Sequence, residues 1–94
     1  MKVLIVTYKC KPGKREAFLE AVRENGAAQK SREEAGNIRY AYARATDDED
    51  ILYLLEQWES EEAFESHKAA DHFRELGELK QDYVEDTILE MYEG

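Results

Sequence analysis

The chain is poor in residues that cross-link or interrupt a fold. Among its 94 residues it has one cysteine, one proline, one tryptophan and two histidines. The single cysteine, Cys10, excludes an intramolecular disulfide and is typical of a reducing compartment, so we expect a cytoplasmic protein. No linker, repeat or low-complexity tract divides the chain. We therefore expect one domain over residues 1–94.

Long apolar runs and an excess of positive charge are also missing. The chain has 13 Lys and Arg residues against 22 Asp and Glu residues, a formal net charge of −9. Surfaces that bind nucleic acid or anionic membranes need clustered basic residues, so we expect neither partner. The N-terminal stretch MKVLIVTYKC has four consecutive apolar residues before Thr7, which is too few for a signal peptide or a membrane-spanning helix.

The hydrophobic periodicity predicts four strands and two helical regions. The predicted strands are Val3–Cys10, Ile38–Thr46, Ile51–Trp58 and Thr87–Tyr92. One helix is predicted from Pro12 to about Glu34, and shorter helices are predicted between the third and fourth strands. The order β-α-β-β-α-β is typical of an α+β, ferredoxin-like split βαβ fold, with an antiparallel four-stranded sheet and its helices on one face.

The second helical region has clear start signals. Ser60 is a predicted N-cap, and Glu61 in the first turn suits the positive end of the helix dipole. A second short helix is predicted to begin at the N-cap Asp71 and to end at Gly77. His72 directly follows this cap, so we expect it to be exposed.

The predicted first helix has one polar residue on its inward face. That face comprises Ala17, Phe18, Ala21, Val22, Asn25 and Ala28. Asn25 either marks a helix end or partial exposure, or contacts a ligand. Gly26 beside it weakens the helix by about 1 kcal/mol relative to Ala.

With helices on one face, the other face of the sheet needs a cover. It carries either Leu4, Val6 and Tyr8 or Tyr53 and Leu55, and both sets are too apolar to be left in water. A second copy of the chain would cover it. We therefore expect a homodimer with its two sheets facing each other.

Known metal and nucleophile motifs are missing. His67 and His72 are five residues apart on a broken helix, and no third ligand is apparent from the sequence. The acidic turn Asp47–Asp50 lacks the glycine and the distal glutamate of a calcium-binding EF-hand loop. We therefore expect no metal.

The densest group of chemically useful residues surrounds His67. Trp58 ends the third strand, and Phe64 shares a helical face with His67. A histidine beside aromatic rings either is structural or deprotonates an aromatic or enolisable substrate. Glu56 shares a strand face with Trp58, and burial would raise its pKa or require a cation.

Four short stretches together resemble a known family. They are EQWES at Glu56–Ser60, then His67, His72-Phe73, and Pro12-Gly13 before the first helix. This pattern resembles the antibiotic biosynthesis monooxygenase family, especially its bacterial quinol monooxygenase-like members. The resemblance implies a dimeric α+β barrel with ligands held between sheet and helices. It covers cofactor-free oxygenases of polyphenols, haem degraders and an isomerase of a phosphorylated signal.

Departures from the family pattern separate these activities. Haem degraders need an Asn, a Trp and an axial His where this chain has Thr7, His67 and Gly77, so the resemblance does not imply haem. The isomerase has a histidine at the position of Gly26, and no phosphate-binding arginine cluster is apparent here. The polyphenol oxygenases have an Asn at the position of Leu54, although their tryptophan is kept.

We therefore predict a cofactor-independent monooxygenase of a small quinol-like or polyphenolic substrate, which itself supplies the electrons to oxygen. His67 is the predicted catalytic base. The predicted substrate-binding residues are Thr7, Asn25, Tyr40, Glu56, Trp58, Phe64, His72 and Phe73. The alternatives are an isomerase of a small oxygenated metabolite and a non-catalytic dimeric ligand-binding module.

Overall fold

A computed structural model describes all 94 residues and confirms the α+β fold with one antiparallel four-stranded sheet. The strands are β1 (Lys2–Cys10), β2 (Asn37–Arg44), β3 (Ile51–Trp58) and β4 (Val84–Glu93). The helices are α1 (Arg15–Asn25), α2 (Ala27–Arg32), α3 (Glu61–Lys68) and α4 (Asp71–Lys80). The strand order is β2-β3-β1-β4, so β1 and β3 are central. No helix is long and apolar enough to cross a membrane.

The two central strands bury alternate residues beneath the helices. Along β3, every second side chain from Leu52 to Trp58 is buried and the intervening ones are half-buried, as the alternation predicted. In β1, Leu4 pairs with Glu56 and lies on the same, helix-covered face. Of the two assignments left open, the one that turned Leu4, Val6 and Tyr8 outward is therefore wrong. Tyr53 and Leu55 face outward instead.

The predicted first helix is wrong in extent, because Gly26 divides it. Gly26 adopts a left-handed conformation with φ 80°, and its N–H donates to the Val22 carbonyl. This is the usual glycine end of a helix, so α1 stops and α2 begins in a new direction. The inward face of α1 also differs, since Leu19 is buried where Ala17 is exposed.

The start of α3 agrees with the sequence. The Ser60 side-chain oxygen accepts a hydrogen bond from the Ala63 backbone N–H at 3.1 Å, which makes Ser60 the N-cap. This cap fixes where α3 leaves β3, and so sets the position of every side chain on its inward face.

The boundaries of α4 and β4 differ from those predicted. Ala70 is the N-cap of α4 and Asp71 its first helical residue. Gly77 lies within the helix, and its φ is not positive, so nothing in its conformation ends the helix there. Leu79 continues the apolar face of α4 against the core beyond Gly77. After α4, β4 begins at Val84, because the antiparallel pairing with β1 continues to that residue.

The last strand has uncovered apolar side chains on both faces of the sheet. Ile88, Leu89, Met91 and Tyr92 are between 49% and 54% exposed. Leu89 and Met91 pair with Val6 and Leu4, so they lie on the helix side of the sheet, yet they stay exposed. The apolar surface therefore extends around this edge from the open face.

We propose that a second copy of the chain covers this surface. Sedimentation equilibrium at micromolar concentration should give twice the 11.0 kDa chain mass. Ile88→Lys should shift the protein toward monomer, because a charge would then be buried in an apolar contact. Ala17→Lys, on the exposed side of α1, is the control and should leave the mass unchanged. A wild-type monomer would contradict the proposal.

Candidate functional site

A continuous chain of buried and half-buried polar side chains crosses the end of the core. Trp58 Nε1 donates to Glu56 Oε1 at 3.0 Å, and Glu56 Oε1 lies 3.8 Å from His67 Nε2. The other nitrogen of that ring, His67 Nδ1, is 2.6 Å from Glu34 Oε2. His72 Nε2 is 2.8 Å from the same oxygen. We call these five residues the polar chain: Trp58, Glu56, His67, Glu34 and His72.

Four different parts of the fold supply the polar chain. Glu56 and Trp58 are two residues apart on β3, so both point beneath the helices. His67 lies in the last turn of α3 and His72 in the first turn of α4. Glu34 follows α2, just before the turn that leads into β2. The site therefore depends on tertiary packing, since no single element holds more than two of its members.

Aromatic rings enclose the His67 imidazole, which is 2% exposed. Ring centroids lie 4.6 Å away for Trp58, 5.2 Å for Phe73, 5.8 Å for Tyr40 and 6.4 Å for Phe64. Phe73 and Tyr40 present T-shaped contacts, and Phe64 is stacked. The structure thus brings together four of the predicted substrate-binding residues around the predicted base. Phe73 is the exposed member of this group.

The polar chain fixes the protonation pattern of His67. Burial lowers the pKa of His67, although the hydrogen bond to Glu34 opposes this shift. A neutral imidazole carries one N–H, and the 2.6 Å contact with a carboxylate places that hydrogen on Nδ1. Nε2 is then left with a free lone pair that faces Glu56. This is the arrangement of an oriented general base.

Glu56 lies opposite that nitrogen and is 6% exposed. Burial, together with the nearby charge of Glu34, raises the pKa of Glu56 to about 7 against the opposing hydrogen bond from Trp58. At neutral pH the protonated acid therefore occurs beside an unprotonated nitrogen. Such a pair can hold or pass on a proton at His67 Nε2.

Glu34 is the member that the sequence analysis missed. The predicted first helix ended at about Glu34, and the sequence analysis assigned no role to that residue. The Gly36-Asn37 turn leads into β2, where Asn37 pairs with Trp58. That pairing brings the segment before the turn toward Trp58, but no local pattern of the sequence indicates the contact between Glu34 and His67. The expected exposure of His72 is also wrong, since it is half-buried and hydrogen-bonded to Glu34.

Two predicted residues lie away from the polar chain. Thr7 pairs with Tyr53 on the open face of the sheet, so the sheet separates Thr7 from His67. The prediction that Thr7 binds the same substrate as His67 is therefore wrong. Asn25 ends α1 and is half-buried. Its side-chain oxygen is buried and has no hydrogen-bond partner, which leaves it free for a ligand or water.

The two histidines do converge, contrary to the expectation from their spacing. The break between α3 and α4 turns both rings toward Glu34, and one donor atom from each of the three residues lies within 4.8 Å of the others. The distances of 2.6 and 2.8 Å are close to those of short hydrogen bonds to a charged carboxylate. Metal–ligand bonds of about 2.0–2.2 Å would require the carboxylate to leave its place between the rings. We interpret the group as hydrogen-bonded, and the absence of a metal stays a prediction.

A separate cavity of about 350 Å³ opens between α1, α2 and the β2–β3 side of the sheet. Leu19, Val22 and Leu52 form apolar parts of its wall, and Tyr42 also lines it. The Tyr42 hydroxyl is buried without a hydrogen-bond partner. None of the residues predicted to bind substrate lines this cavity.

Three comparisons place these features among known proteins. A family model described as antibiotic biosynthesis monooxygenase matches residues 1–79. No curated protein matches the chain. A solved structure from Nitrosomonas europaea, which carries the name of the same family, is 30% identical with a TM-score of 0.89, over 100% of this chain and 98% of that one.

A second solved structure, from Bacteroides thetaiotaomicron, is described as a conserved protein of unknown function and a possible oxidoreductase. It is 26% identical with a TM-score of 0.87 and covers 99% of this chain and 96% of its own. A Pseudomonas aeruginosa structure is also 26% identical, with a TM-score of 0.87, over 99% of this chain and 92% of that one. The whole fold, β4 included, is therefore shared with these proteins.

The raised pKa of Glu56 predicts a pH-dependent stability. The folded protein keeps the Glu56 proton up to about pH 7, whereas the unfolded chain releases it near the ordinary value of 4.5. The contribution of Glu56 to the free energy of unfolding should therefore fall as the pH rises through this window. Glu56→Gln still accepts from Trp58 but carries no charge. The free energy of unfolding of Glu56→Gln minus that of wild type should be about 2–3 kcal/mol larger at pH 8 than at pH 5, since one pKa unit corresponds to about 1.4 kcal/mol.

Urea unfolding at the two pH values measures this difference. Glu24→Gln, on the exposed side of α1, is the matched control and should show no such difference. An equal effect of Glu56→Gln at pH 5 and pH 8 would show that Glu56 is ionised throughout, and the assignment of an acidic proton to it would be wrong.

Purified protein should contain no stoichiometric transition metal. Hydrogen bonds already satisfy the Glu34 oxygen, and a cation would have to displace both. Elemental analysis after dialysis checks this, and titration with Co²⁺ should give no d–d bands. A one-to-one complex that Glu34→Gln abolishes would reverse the interpretation.

Proposed function

The chain belongs to the antibiotic biosynthesis monooxygenase family, and we propose that it oxygenates a small quinol-like aromatic substrate without a metal or organic cofactor. The observation that carries the proposal is the His67 imidazole. Its Nδ1–H is tied to a carboxylate, its Nε2 is free, and aromatic rings surround it. A homodimer in the cytoplasm is part of this proposal, and the buried, unpaired Cys10 suits a reducing compartment.

His67 Nε2 would remove the proton from a substrate hydroxyl. The resulting phenolate is electron-rich and can give an electron to dioxygen, which the neutral quinol does slowly. Glu34 holds the ring in the tautomer that leaves Nε2 free, as the third group does in other base-assisted sites. Burial keeps the imidazole unprotonated at neutral pH and therefore ready to act.

The electron balance needs no external reductant. One oxygen atom enters the ring as a hydroxyl group and the other leaves as water. The C–H bond that is oxygenated supplies two electrons, and oxidation of the quinol to the quinone supplies the other two. A quinol and O₂ thus give a hydroxyquinone and H₂O.

The rings around His67 support binding of a flat aromatic substrate. Trp58 and Phe64 are buried and provide fixed apolar walls, whereas Phe73 is exposed and lies edge-on to His67 at 5.2 Å. Phe73 sits in the first turn of α4, next to the junction with α3. Movement of Phe73 would give a substrate access to His67 and would then exclude water again.

One observation also favours the isomerase alternative. Enolisation needs a base and an acid at adjacent positions, and Glu56 stands 3.8 Å from the free nitrogen of His67 with its pKa raised by burial to about 7. An isomerase would use this pair without consuming oxygen. A non-catalytic binding module would bind the same ligands and change none of them.

Oxygen uptake with catechols, hydroquinones and naphthoquinols separates these functions. His67→Asn should keep an N–H donor for Glu34, because an Asn amide can replace Nδ1, but it removes the base. Turnover should fall by roughly 10²–10⁴-fold, the usual contribution of a general base. The control is His72→Gln, whose amide can replace Nε2 as a donor to Glu34, and it should retain most of the activity.

Circular dichroism and thermal unfolding should be measured on both variants, since His67 is deeply packed. A folded His67→Asn variant with wild-type oxygen uptake would contradict the role of base. Product formation without oxygen uptake would favour the isomerase. Substrate binding with neither reaction would favour the binding module.

A further inference from the structure

The cavity between α1, α2 and β2 has a basic rim. Arg23 of α1, Arg32 of α2 and Arg44 of β2 all line it. The sequence showed no arginine cluster, because these residues are separated along the chain and come from three elements. Glu16 pairs with Arg44 and Glu20 with Arg23, so Arg32 is the guanidinium group at this opening that no carboxylate neutralises.

Two of the guanidinium groups are held in place with N–H groups to spare. Arg32 Nε donates to the Tyr40 carbonyl at 2.8 Å, and Arg32 makes no ion pair, so both of its terminal nitrogens lack a protein partner. Arg44 is held by Glu16 through Nε and Nη2, at 2.7–3.0 Å, which leaves Nη1 without one. Planar guanidinium groups with free N–H pairs are suited to carboxylate and phosphate oxygens.

The third arginine is less constrained. Arg23 Nη1 lies 3.7 Å from Glu20 in an exposed pair, a contact that contributes little. It can therefore turn toward a bound anion at small cost. Arg32 and Arg44 are the fixed part of the rim and Arg23 the adaptable part.

Part of the cavity wall is apolar. Leu19, Val22, Ala28 and Leu52 provide this surface, and the buried, unpaired Tyr42 hydroxyl adds one polar group among them. The volume of about 350 Å³ is at the lower end of the range for small-molecule sites. A ligand that fits would have a compact apolar body inside and a charged group at the rim.

We propose that this cavity binds a small organic oxyanion, a carboxylate or a phosphate ester, with its apolar body against Leu19, Val22 and Leu52 and its charge on Arg32 and Arg44. This site is distinct from the polar chain, because none of the polar-chain residues lines it. The proposal therefore does not rest on the proposed oxygenase activity. The bound anion can be the charged part of a substrate or a separate effector.

Isothermal titration with benzoate, phenyl phosphate, benzyl alcohol and inorganic phosphate tests the proposal. Benzoate and phenyl phosphate should bind with salt-dependent affinity, and the one that binds more tightly identifies the preferred anion. Benzyl alcohol should bind at least about tenfold more weakly, because it makes no charged contact with the arginines. Inorganic phosphate should also bind more weakly, since it lacks the apolar body.

Variants locate the site. Arg44→Gln and Arg32→Gln should each weaken binding of the preferred probe by about tenfold, the loss expected for a charged hydrogen bond. Arg74→Gln is the control, because Arg74 lies on α4, pairs with Glu78 and does not line the cavity. His67→Asn should leave the affinity unchanged, which separates this result from that of the oxygenase experiment.

Several results would overturn the proposal. They are no binding of either aromatic anion at millimolar concentration, equal binding of benzyl alcohol, or full affinity in both Arg32→Gln and Arg44→Gln. Loss of binding in His67→Asn would instead place the anion in the polar chain. If Arg32→Gln is unfolded because the Tyr40 carbonyl loses its donor, Arg44→Gln alone decides the outcome.

Discussion

Two imidazole rings meet at a single carboxylate oxygen, and the architecture of the polar chain depends on that contact. Glu34 Oε2 is within hydrogen-bond distance of both His67 and His72. The contact joins the end of α2, the last turn of α3 and the first turn of α4. Hydrogen bonds to a charged acceptor typically contribute about 1.5–3 kcal/mol each. Without the carboxylate, two imidazole N–H groups would lose their partner in a largely apolar setting.

The same contact determines which nitrogen of His67 is reactive. A histidine beside Trp58, Phe64, Tyr40 and Phe73 would ordinarily be a packing residue, since four aromatic ring centroids lie within 6.4 Å of its own. The hydrogen bond at Nδ1 is what gives it a defined orientation. The reactivity of His67 therefore depends on its hydrogen bond to Glu34. The aromatic rings exclude water, and a hydrogen bond is electrostatically stronger in such surroundings.

Parts of the site were predictable because they depend on short-range patterns. The period of two along β3 placed Glu56 and Trp58 on one buried face, and the cap at Ser60 fixed the phase of α3. From these two features the grouping of Trp58, Phe64 and His67 follows. The same alternation on β1 turns Thr7 to the open face of the sheet, so its assignment to the site was wrong.

The α+β fold, the buried face of β3 and the helix that carries His67 could be predicted from the sequence, because strand alternation and capping depend on residues a few positions apart. The contacts of Glu34 with His67 and His72, which lie 33 and 38 residues further along, arise from tertiary packing alone. The same packing gathers Arg23, Arg32 and Arg44 around one cavity. Such contacts depend on how Gly26 redirects α2 and on how α4 packs over the sheet. Those arrangements minimise the free energy of the whole core, so no local pattern encodes them.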